Sequence, residues 1–385
     1  MSAQRGMKSG YLPSLDGWRT VAILSVMMYH DSVHRIGSFS NSFLHEYGNL
    51  GVDLFFAISG LLICSRLLEE DRLKGSISLR GFYLRRLFRI TPASWVFLTG
   101  YTLLGLAHQL PLDWGGIASS MLMIRNFWIR FAGDGGNTWY TVHFWSLSVE
   151  EHFYLLLPGL LVFGRRWRTQ FVGCLALLFL LWFQIVQHYT PIPPTGLPLR
   201  TDMRLHELLI PAFFALLLAE ANWKEVAVRW IRPWVVIAAF TVSELLLSRA
   251  PKFHSKTLLV SILIPVGFSL AVVATMYHPR AWLTQLLETA PMRFIGRISY
   301  SLYLWQQLFF PNVQTPAQPP FLMLQRFPYN YLAAFACALA SFYLIEKPLI
   351  RMGHKFAHPA TPGHQDLDVV PAVVEPVTAG SLQLE

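Results

Sequence analysis

The most informative pair of ionisable residues lies in the first apolar segment. Arg19 and His30 stand 11 positions apart. In a helix this spacing is three turns plus about 20°, so both side chains lie on one face, roughly 16 Å apart along the axis. Ionisable groups inside an apolar segment are costly and usually line a polar cavity. An imidazole titrates near neutral pH and suits proton abstraction from a hydroxyl. The sequence therefore predicts a cation and a general base on one face of the helix. The alternative is that Arg19 only follows the positive-inside rule and that His30 is a packed, hydrogen-bonded histidine.

Metal binding is a second interpretation of His30. His30 and His34 stand four residues apart, which places two imidazoles on one side of a helix, as at the start of a zinc site. No third ligand follows at a suitable spacing. We therefore expect no metal here.

A basic segment follows the second apolar stretch. It reads LRGFYLRRLFRITP over residues 79–92 and is predicted to be a short helix that ends at Pro92. At spacings of three and four residues, Arg85, Arg86 and Arg89 share one side. Guanidinium groups bind phosphate through paired hydrogen bonds, so these arginines are candidate phosphate ligands facing the cytoplasm. The alternative is an amphipathic helix that rests on anionic lipid.

Two adjacent acids stand at the entry to the fourth predicted span, in the sequence HFWSLSVEEHFYLLLP. Ser148 with Glu151 three residues later matches a capping box, which predicts a helix N-terminus. Glu150 is not used by such a box. The pair is therefore a candidate to orient a histidine or to bind sugar hydroxyls at the outer mouth of the span.

Polar residues near the end of the chain give weaker signals. The segment GRISYSLYLWQQ (296–307) places serines, tyrosines and glutamines in an apolar stretch, and Ser341 and Glu346 close the next one. Helix packing through small polar residues explains most of them.

Composition indicates which elements must position these residues. Of the 385 residues, 54% are hydrophobic and 14% are charged, whereas soluble domains carry about 25% charged residues. The apolar residues fall in blocks of about 17–22, the length of a bilayer-spanning helix. Lipid allows helices or closed barrels, and runs such as 175–182 lack the alternation of a barrel strand. We therefore predict an all-α, polytopic transmembrane helical bundle.

The apolar blocks predict about ten spans with both termini in the cytoplasm. They cover residues 18–36, 50–68, 92–110, 145–163, 170–189, 206–221, 233–248, 258–277, 295–311 and 329–346. This arrangement places 22 of the 31 Lys and Arg residues on the cytoplasmic side, in agreement with the positive-inside rule. The formal charge of +9 thus reflects the predicted orientation in the membrane and does not indicate a nucleic-acid partner.

Residues 1–350 are predicted to form one transmembrane domain. Residues 351–385 are predicted to be a disordered cytoplasmic tail, because the sequence from about residue 357 is rich in Pro, Ala, Val and Thr and lacks a helical period. No cleavable signal is expected, because polar residues rather than a small-residue cleavage site follow the first apolar run. Cys64, Cys174 and Cys337 lie inside predicted spans at spacings that suggest neither metal nor redox chemistry.

Seven segments in order, between about residues 12 and 350, resemble the acyltransferase-3 family, the integral-membrane acyltransferases that modify bacterial surface glycans and similar acceptors. They are LDGWRTVAILSVMMYH (15–30), GVDLFFAISGLLI (51–63), RRLFRITP (85–92), FWSLSVEEHFYLLLP (144–158), TDMRLHELL (201–209), GRISYSLYLW (296–305) and SFYLIEKPL (341–349). The resemblance implies a multi-pass protein of the bacterial inner membrane. It also implies a cytoplasmic acyl-CoA donor, by default acetyl-CoA, and a hydroxyl-bearing acceptor on the other side.

The resemblance further implies roles for single residues. The family's basic residue and histidine fall on Arg19 and His30, and its Arg-x-x-Arg motif, associated with donor binding, falls on Arg86 and Arg89. The family's carboxylate pair falls on the two acids at 150–151.

This chain departs from the family pattern at three positions. Trp18 stands where Leu is common, His152 where Gln is common, and Gln306 where a histidine is frequent. The extracytoplasmic esterase-like domain of larger members is not expected here. The chain would then deliver the acyl group itself or hand it to a separate protein.

These expectations combine into one hypothesis. Four arginines are expected to hold the CoA phosphates: Arg19, Arg85, Arg86 and Arg89. The pantetheine arm then reaches into the bundle, and His30 either accepts the acyl group or acts as general base for the acceptor hydroxyl. Glu150 or Glu151 would orient the imidazole or the sugar.

A transporter of an acylated or glycan substrate is the alternative class, because intramembrane charges also mark transport pathways. Transporters often show paired halves with broken helices, and the sequence shows no such symmetry. Lipopolysaccharide, capsule, peptidoglycan, exported oligosaccharides and small lipid or macrolide hydroxyls are all compatible acceptors.

Overall fold

The computed structural model describes residues 11–33, 48, 50–129, 139–190, 197–238, 258–310 and 317–357. Parts of the sequence analysis lie outside these ranges: His34, residues 34–36 of the first predicted span, residues 239–248 of the seventh, residue 311 of the ninth, and the predicted tail from 358 onwards. What was predicted for them stays a prediction.

Within the described ranges every assigned element is a helix. Two of them are not α-helical, a 3-10 turn at Leu197–Leu199 and a π-helical turn at Phe342–Glu346. The α-helices are α1 (Pro13–Val33), α2 (Leu50–Lys74), α3 (Leu79–Leu106), α4 (Trp114–Met121), α5 (Arg125–Trp128), α6 (Trp139–Val142), α7 (Phe144–Phe163), α8 (Arg168–Tyr189), α9 (Thr201–Arg204), α10 (His206–Ala219), α11 (Ala221–Trp230), α12 (Leu258–Tyr277), α13 (Trp282–Leu287), α14 (Ala290–Arg297), α15 (Ser299–Phe309), α16 (Phe321–Leu324), α17 (Tyr329–Ser341) and α18 (Lys347–Ala357).

Five helical stretches of the described chain are long and apolar enough to cross a bilayer. They are Leu50–Lys74, Trp139–Phe163, Arg168–Tyr189, Val260–Tyr277 and Tyr329–Ala357. The helical, multi-pass class is therefore confirmed for the described residues. The number of ten spans and the cytoplasmic position of the termini stay predictions.

The basic segment does not end at Pro92, contrary to the sequence-based prediction. Helix α3 runs Leu79–Leu106 with Pro92 inside it. The proline lacks one N–H donor and crowds the carbonyl of Phe88, a loss that packing in a bundle tolerates. Ser78 begins the helix by accepting a hydrogen bond from the Gly81 N–H (3.1 Å). The arginines therefore lie on a long helix rather than on a short surface helix.

The predicted capping box at Ser148 is also wrong. Helix α7 begins at Phe144, and the Ser148 hydroxyl donates to the Phe144 carbonyl (2.8 Å), inside the helix. The start lies earlier because α6 precedes it, and the break between the two falls at His143, whose carbonyl accepts a hydrogen bond from the Tyr303 hydroxyl (3.1 Å). Glu151 consequently does not cap this helix.

Helix α1 packs against α2, α12 and the segment from α13 to α15. Small residues allow helices in such bundles to approach closely. A Cβ at Gly296 of α14 would collide with the backbone of Asp16 in α1, and a Cβ at Gly60 of α2 would collide with the carbonyl oxygen of Leu208 in α10. These contacts fix the central helices relative to each other.

The buried apolar residues form two large clusters. One joins α2, α7 and α10, and the other joins α1, α3, α15 and α17. Val52, Phe55 and Tyr300 pack against both clusters. The candidate site lies at this junction.

Helix α18 crosses the predicted domain boundary at residue 350 and continues to Ala357. It packs on α3, where the Phe356 and Phe88 rings lie 5.7 Å apart. The π-helical turn before it buries Glu346, which accepts a hydrogen bond from Ser301.

Candidate active site

A cavity with an empty volume of about 790 Å³ lies between the two apolar clusters. Helices α1, α2, α3, α7 and α15 supply its lining. The polar residues that line it are Arg19, Ser59, Arg86, Arg89, Ser146, Glu150, Glu151, Tyr154, Ser299, Tyr300 and Tyr303.

Arg86 and Arg89 reach the cavity from α3. They lie roughly 10 and 15 Å along the axis from the start of that helix. The Arg86 guanidinium stacks over the Tyr154 ring, 4.8 Å from its centroid. This contact holds a planar cation against an aromatic face.

Arg19 enters the cavity from α1. Its guanidinium lies 3.5 Å from the Asp16 carboxylate, one turn earlier on the same helix. Asp16 also accepts a hydrogen bond from the Tyr11 hydroxyl (2.6 Å). The structure thus brings together three of the four arginines predicted to bind the donor.

Arg85 is the fourth predicted donor ligand, and it is not among the cavity-lining residues. Its guanidinium lies 3.4 Å from Glu70 of α2. Successive residues of a helix are about 100° apart, so Arg85 projects away from the side that Arg86 presents. Its predicted role in donor binding stays a prediction.

Glu150 and Glu151 both line the same cavity, but their environments differ. Glu150 accepts hydrogen bonds from the Ser59 hydroxyl (2.8 Å) and the Tyr154 hydroxyl (3.3 Å). The Oε1 atom of Glu151 is buried without a hydrogen-bond partner. An unpaired buried acceptor is costly, so this oxygen is available to a donor group on a ligand.

The lining combines three guanidinium groups with two carboxylates, giving a formal charge of +1 when all are ionised. Buried charges of this kind are stable when they are paired and hydrogen-bonded. The excess cation suits an anionic ligand, while the carboxylates accept hydrogen bonds. The same cavity can therefore bind a phosphate group and a polar chain.

Hydroxyl groups also line the cavity, between apolar walls. The Ser146 and Tyr303 hydroxyls lie 2.6 Å apart, and the Tyr300 hydroxyl donates to the Ile90 carbonyl (2.8 Å). Apolar side chains, among them Phe55, complete this part of the lining. A chain that alternates methylene and amide groups would find both kinds of contact here.

His30 lies beyond the residues that line the cavity. Its Nδ1 is 2.9 Å from Gln306 Oε1, and its ring packs on the Trp139 ring at 5.4 Å. The Gln306 amide nitrogen donates to Gln307 (3.1 Å), so its oxygen faces the imidazole. A neutral His30 that donates from Nδ1 to this oxygen is the tautomer with its lone pair on Nε2, the arrangement a general base requires.

The sequence analysis expected Glu150 or Glu151 to orient the imidazole or the sugar, and this role stays a prediction. Glu150 stands 11 residues after Trp139, roughly 16 Å further along the helix direction. An amide, that of Gln306, instead hydrogen-bonds to His30. Gln306 stands at the position where a histidine is frequent in the family that the sequence resembles.

Several lining residues were missed by sequence reasoning. In the segment 296–307, Ser299 and Tyr303 of the lining and Gln306, which contacts His30, recur at spacings of three and four, which places them on one face. That period was the available signal, but it was attributed to helix packing. Ser59 and Tyr154 carried no comparable signal, because each is a single hydroxyl in an apolar helix.

Among the residues that the structure describes, no group of three or more His, Cys, Asp or Glu side chains could hold a metal ion. His34 lies outside this set. The expected absence of a metal therefore stays a prediction.

Comparison with known proteins adds a family and several relatives. A family model described as "Acyltransferase domain", that of the acyltransferase-3 family, matches residues 12–347. The chain is 29% identical over 370 residues to the peptidoglycan O-acetyltransferase OatA of Listeria monocytogenes, covering 89% of this chain and 56% of the relative. It is 28% identical over 374 residues to YrhL of Bacillus subtilis, provisionally named as a peptidoglycan O-acetyltransferase, covering 90% and 56%.

A provisionally named O-acetyltransferase of Staphylococcus aureus strain COL is 29% identical over 318 residues, covering 77% of this chain and 50% of the relative. The chain thus spans about half the length of these curated relatives. No solved structure matches it.

Proposed function

From the premise that this chain belongs to the acyltransferase-3 family, we propose that it moves an acyl group, expected to be acetyl, from cytoplasmic acyl-CoA to a hydroxyl of an extracytoplasmic glycan. One observation carries the proposal. Three arginines and two glutamates line a single cavity, and helix α1, which supplies one of these arginines, also carries His30. The relatives named for peptidoglycan O-acetylation make peptidoglycan the first acceptor to test.

The donor site is assigned to the cavity. Arg19, Arg86 and Arg89 supply the cations for the CoA phosphates, since guanidinium forks match phosphate geometry. The apolar walls and hydroxyls beyond them accommodate the pantetheine arm, which carries amide groups between methylene chains. The thioester then extends past Ser146 and Tyr303 toward Gln306, the hydrogen-bond partner of His30, so that its carbonyl carbon lies within reach of His30.

The acyl transfer is assigned to His30. Its Nε2 lone pair accepts the proton of the acceptor hydroxyl while the hydroxyl oxygen attacks the thioester carbonyl. A C–O bond forms, the C–S bond breaks, and the thiolate leaves and is protonated to CoA-SH. A covalent route, in which His30 carries the acyl group between two steps, would use the same lone pair.

The two glutamates serve the donor rather than the imidazole. Glu150, held by Ser59 and Tyr154, fixes the aromatic ring under Arg86. Glu151, with its unpartnered Oε1, accepts a hydrogen bond from an amide N–H of the pantetheine arm.

The transporter alternative is not favoured by the comparisons, because the matching family and the named relatives are acyltransferases. Purified protein that cleaves acetyl-CoA in the presence of an acceptor would support the enzyme. A carrier would leave the thioester intact.

The proposal is tested in cells by mass spectrometry of peptidoglycan and other surface glycans, with and without the gene. Acetylation should disappear on deletion and return with the wild-type gene but not with His30→Ala at equal membrane levels. Unchanged acetylation of every glycan after deletion would contradict the proposal.

A further inference from the structure

A second cluster of charged side chains, which the proposed mechanism does not use, joins helices α2, α9 and α10. The Arg204 guanidinium of α9 lies 2.5 Å from the Asp53 carboxylate of α2 and 3.0 Å from the Glu207 carboxylate of α10. Two of these residues belong to the segment TDMRLHELL (201–209), which has no role in the steps described above. Asp53, Arg204 and Glu207 are called the Arg204 cluster below.

The pairing within the Arg204 cluster is incomplete. Two carboxylates face one guanidinium, so the formal charge is −1 when all three groups are ionised. The Oε2 atom of Glu207 and the Nε atom of Arg204 are buried and have no hydrogen-bond partner among the described residues. The Glu207 side chain is only 10% exposed, and an unpaired buried donor or acceptor is costly. A bound group that both donates and accepts hydrogen bonds would remove that cost.

Aromatic side chains join the Arg204 cluster to the donor cavity. The Arg204 guanidinium lies 5.4 Å from the centroid of the Trp145 ring and 6.0 Å from that of the Phe56 ring. Phe56 also lines the cavity. On α2, Asp53 precedes Ser59, another lining residue, by six positions, roughly 9 Å along the axis. The cluster is therefore next to the cavity without being part of its lining.

The cluster lies at the end of α2 that is remote from its contact with Arg85. Asp53 is in the first turn of α2, whereas Glu70, which contacts Arg85, stands 17 residues later, roughly 26 Å along the axis. The Arg204 side chain is 23% exposed, so the cluster is accessible to a ligand. In the predicted orientation this end of α2 faces the extracytoplasmic side, from which the acceptor arrives.

A glycan held at the Arg204 cluster can also reach His30. Trp139 packs on the His30 ring at 5.4 Å, and Trp145, whose ring faces Arg204, follows six residues later, roughly 9 Å along the helix direction. Neighbouring sugar rings of one chain can span such a distance. One ring at the cluster therefore leaves a hydroxyl of an adjacent ring at His30, as the assigned transfer requires.

We propose that the Arg204 cluster is an acceptor subsite, which binds an uncharged, hydroxyl-rich sugar ring next to the one that is acylated. This inference rests on the proposed function. A sugar hydroxyl both donates and accepts hydrogen bonds, so it matches the unpartnered Oε2 of Glu207 and the N–H at Nε of Arg204. The excess negative charge favours a neutral ring over one that carries a carboxylate or a phosphate.

The test measures sugar binding without any donor, so it does not depend on acyl transfer. Isothermal titration calorimetry uses the full-length protein in lipid nanodiscs, free of sugar-headed detergent, and an uncharged oligosaccharide of N-acetylglucosamine. Glu207→Gln should weaken binding about tenfold or more. The amide oxygen keeps the contact with Arg204, and the amide NH2 then replaces the acceptor Oε2 with a donor.

A charged oligosaccharide tests the preference for a neutral ring. A hyaluronan fragment of the same length, in which every second sugar carries a carboxylate, should bind to the wild-type protein at least about fivefold more weakly, because like charges repel. Equal affinity for the two oligosaccharides would contradict this preference.

Asp71→Asn is the matched control. Asp71 lies near the other end of α2, its side chain is 11% exposed, and it pairs with Arg168 at 2.7 Å. The substitution likewise converts a buried, ion-paired carboxylate into an amide, and it should leave oligosaccharide binding unchanged. The affinity for CoA should be unchanged in both variants, since a general loss of structure would weaken the binding of both ligands.

Several outcomes would overturn the inference. They are wild-type oligosaccharide binding by Glu207→Gln, an equal loss in Asp71→Asn, a parallel loss of CoA binding in Glu207→Gln, and no oligosaccharide binding by a wild-type protein that transfers acetyl groups. Absence of transfer and of thioester cleavage in a wild-type protein that binds the oligosaccharide would instead overturn the proposed function and leave a sugar-binding site.

Discussion

At the scale of single residues, the arginines of α3 give the sharpest prediction. Arg86 lines the cavity, whereas Arg85 faces Glu70. Hydrogen bonds to charged groups contribute about 1.5–3 kcal/mol, so Arg86→Ala should raise the KM for acetyl-CoA about 10- to 100-fold. The measurement is steady-state transfer in liposomes at several donor concentrations.

Two further variants complete that experiment. The increase in KM for Arg85→Ala should be smaller than that for Arg86→Ala by a factor of about five or more. Arg72 forms an exposed ion pair with Glu69. Arg72→Ala should therefore behave as wild type, because such pairs contribute about 0–1 kcal/mol. Equal losses for Arg85→Ala and Arg86→Ala would restore the prediction that both bind the donor.

Gln306 carries the second prediction at this scale. Its buried amide hydrogen-bonds to Nδ1 of His30 and fixes the tautomer with its lone pair on Nε2. Gln306→Leu should lower kcat about tenfold, the value of one hydrogen bond of about 1.4 kcal/mol, with KM for acetyl-CoA unchanged. Gln306→Asn, which retains the amide, should recover part of the loss. A change in KM alone would place Gln306 in donor binding instead.

At the scale of helices, two glycines should respond in opposite ways to the same substitution. A Cβ at Gly60 would collide with α10, whereas a Cβ at Gly159 of α7 would meet nothing within 4 Å. Gly159→Ala should raise the free energy of unfolding by about 0.5–1 kcal/mol, because alanine favours helix. Gly60→Ala should lower it by about 1–3 kcal/mol through overpacking.

Thermal unfolding of the two purified variants in one detergent measures this difference. Stabilisation by Gly60→Ala would show that α2 and α10 are not as close in the protein as the structure places them. Destabilisation by Gly159→Ala would indicate a partner on that face of α7.

At the scale of the whole molecule, the distribution of basic residues predicts the orientation in the membrane. Single cysteines test this orientation in a chain whose three native cysteines are replaced. One is introduced at Lys74, at the end of α2, and the other at Tyr189, at the end of α8. A membrane-impermeant maleimide should label Lys74→Cys in inside-out vesicles and Tyr189→Cys in right-side-out vesicles. The reverse pattern would overturn the predicted orientation and move the donor site away from cytoplasmic acyl-CoA.

The amino-acid sequence by itself determined the class of the fold and one half of the site. Apolar content and blocks of bilayer length are local properties, and they predicted the helical membrane class correctly. The spacing of Arg19 and His30 depends on one helix, α1, which the structure contains without interruption. The seven family segments likewise needed no knowledge of packing, and the match over residues 12–347 confirms the family that they indicated.

The tertiary structure decided which side chains meet across helices. It placed Glu150 against Ser59 in a cavity with Arg86, although the sequence analysis had put the acids at the outer mouth of a span. It also gave His30 an amide partner from residue 306. Such contacts depend on the rotation and depth of each helix relative to its neighbours. Close backbone approaches and side-chain packing fix the rotation and depth of each helix. The spacing of residues along one segment of the chain does not determine them.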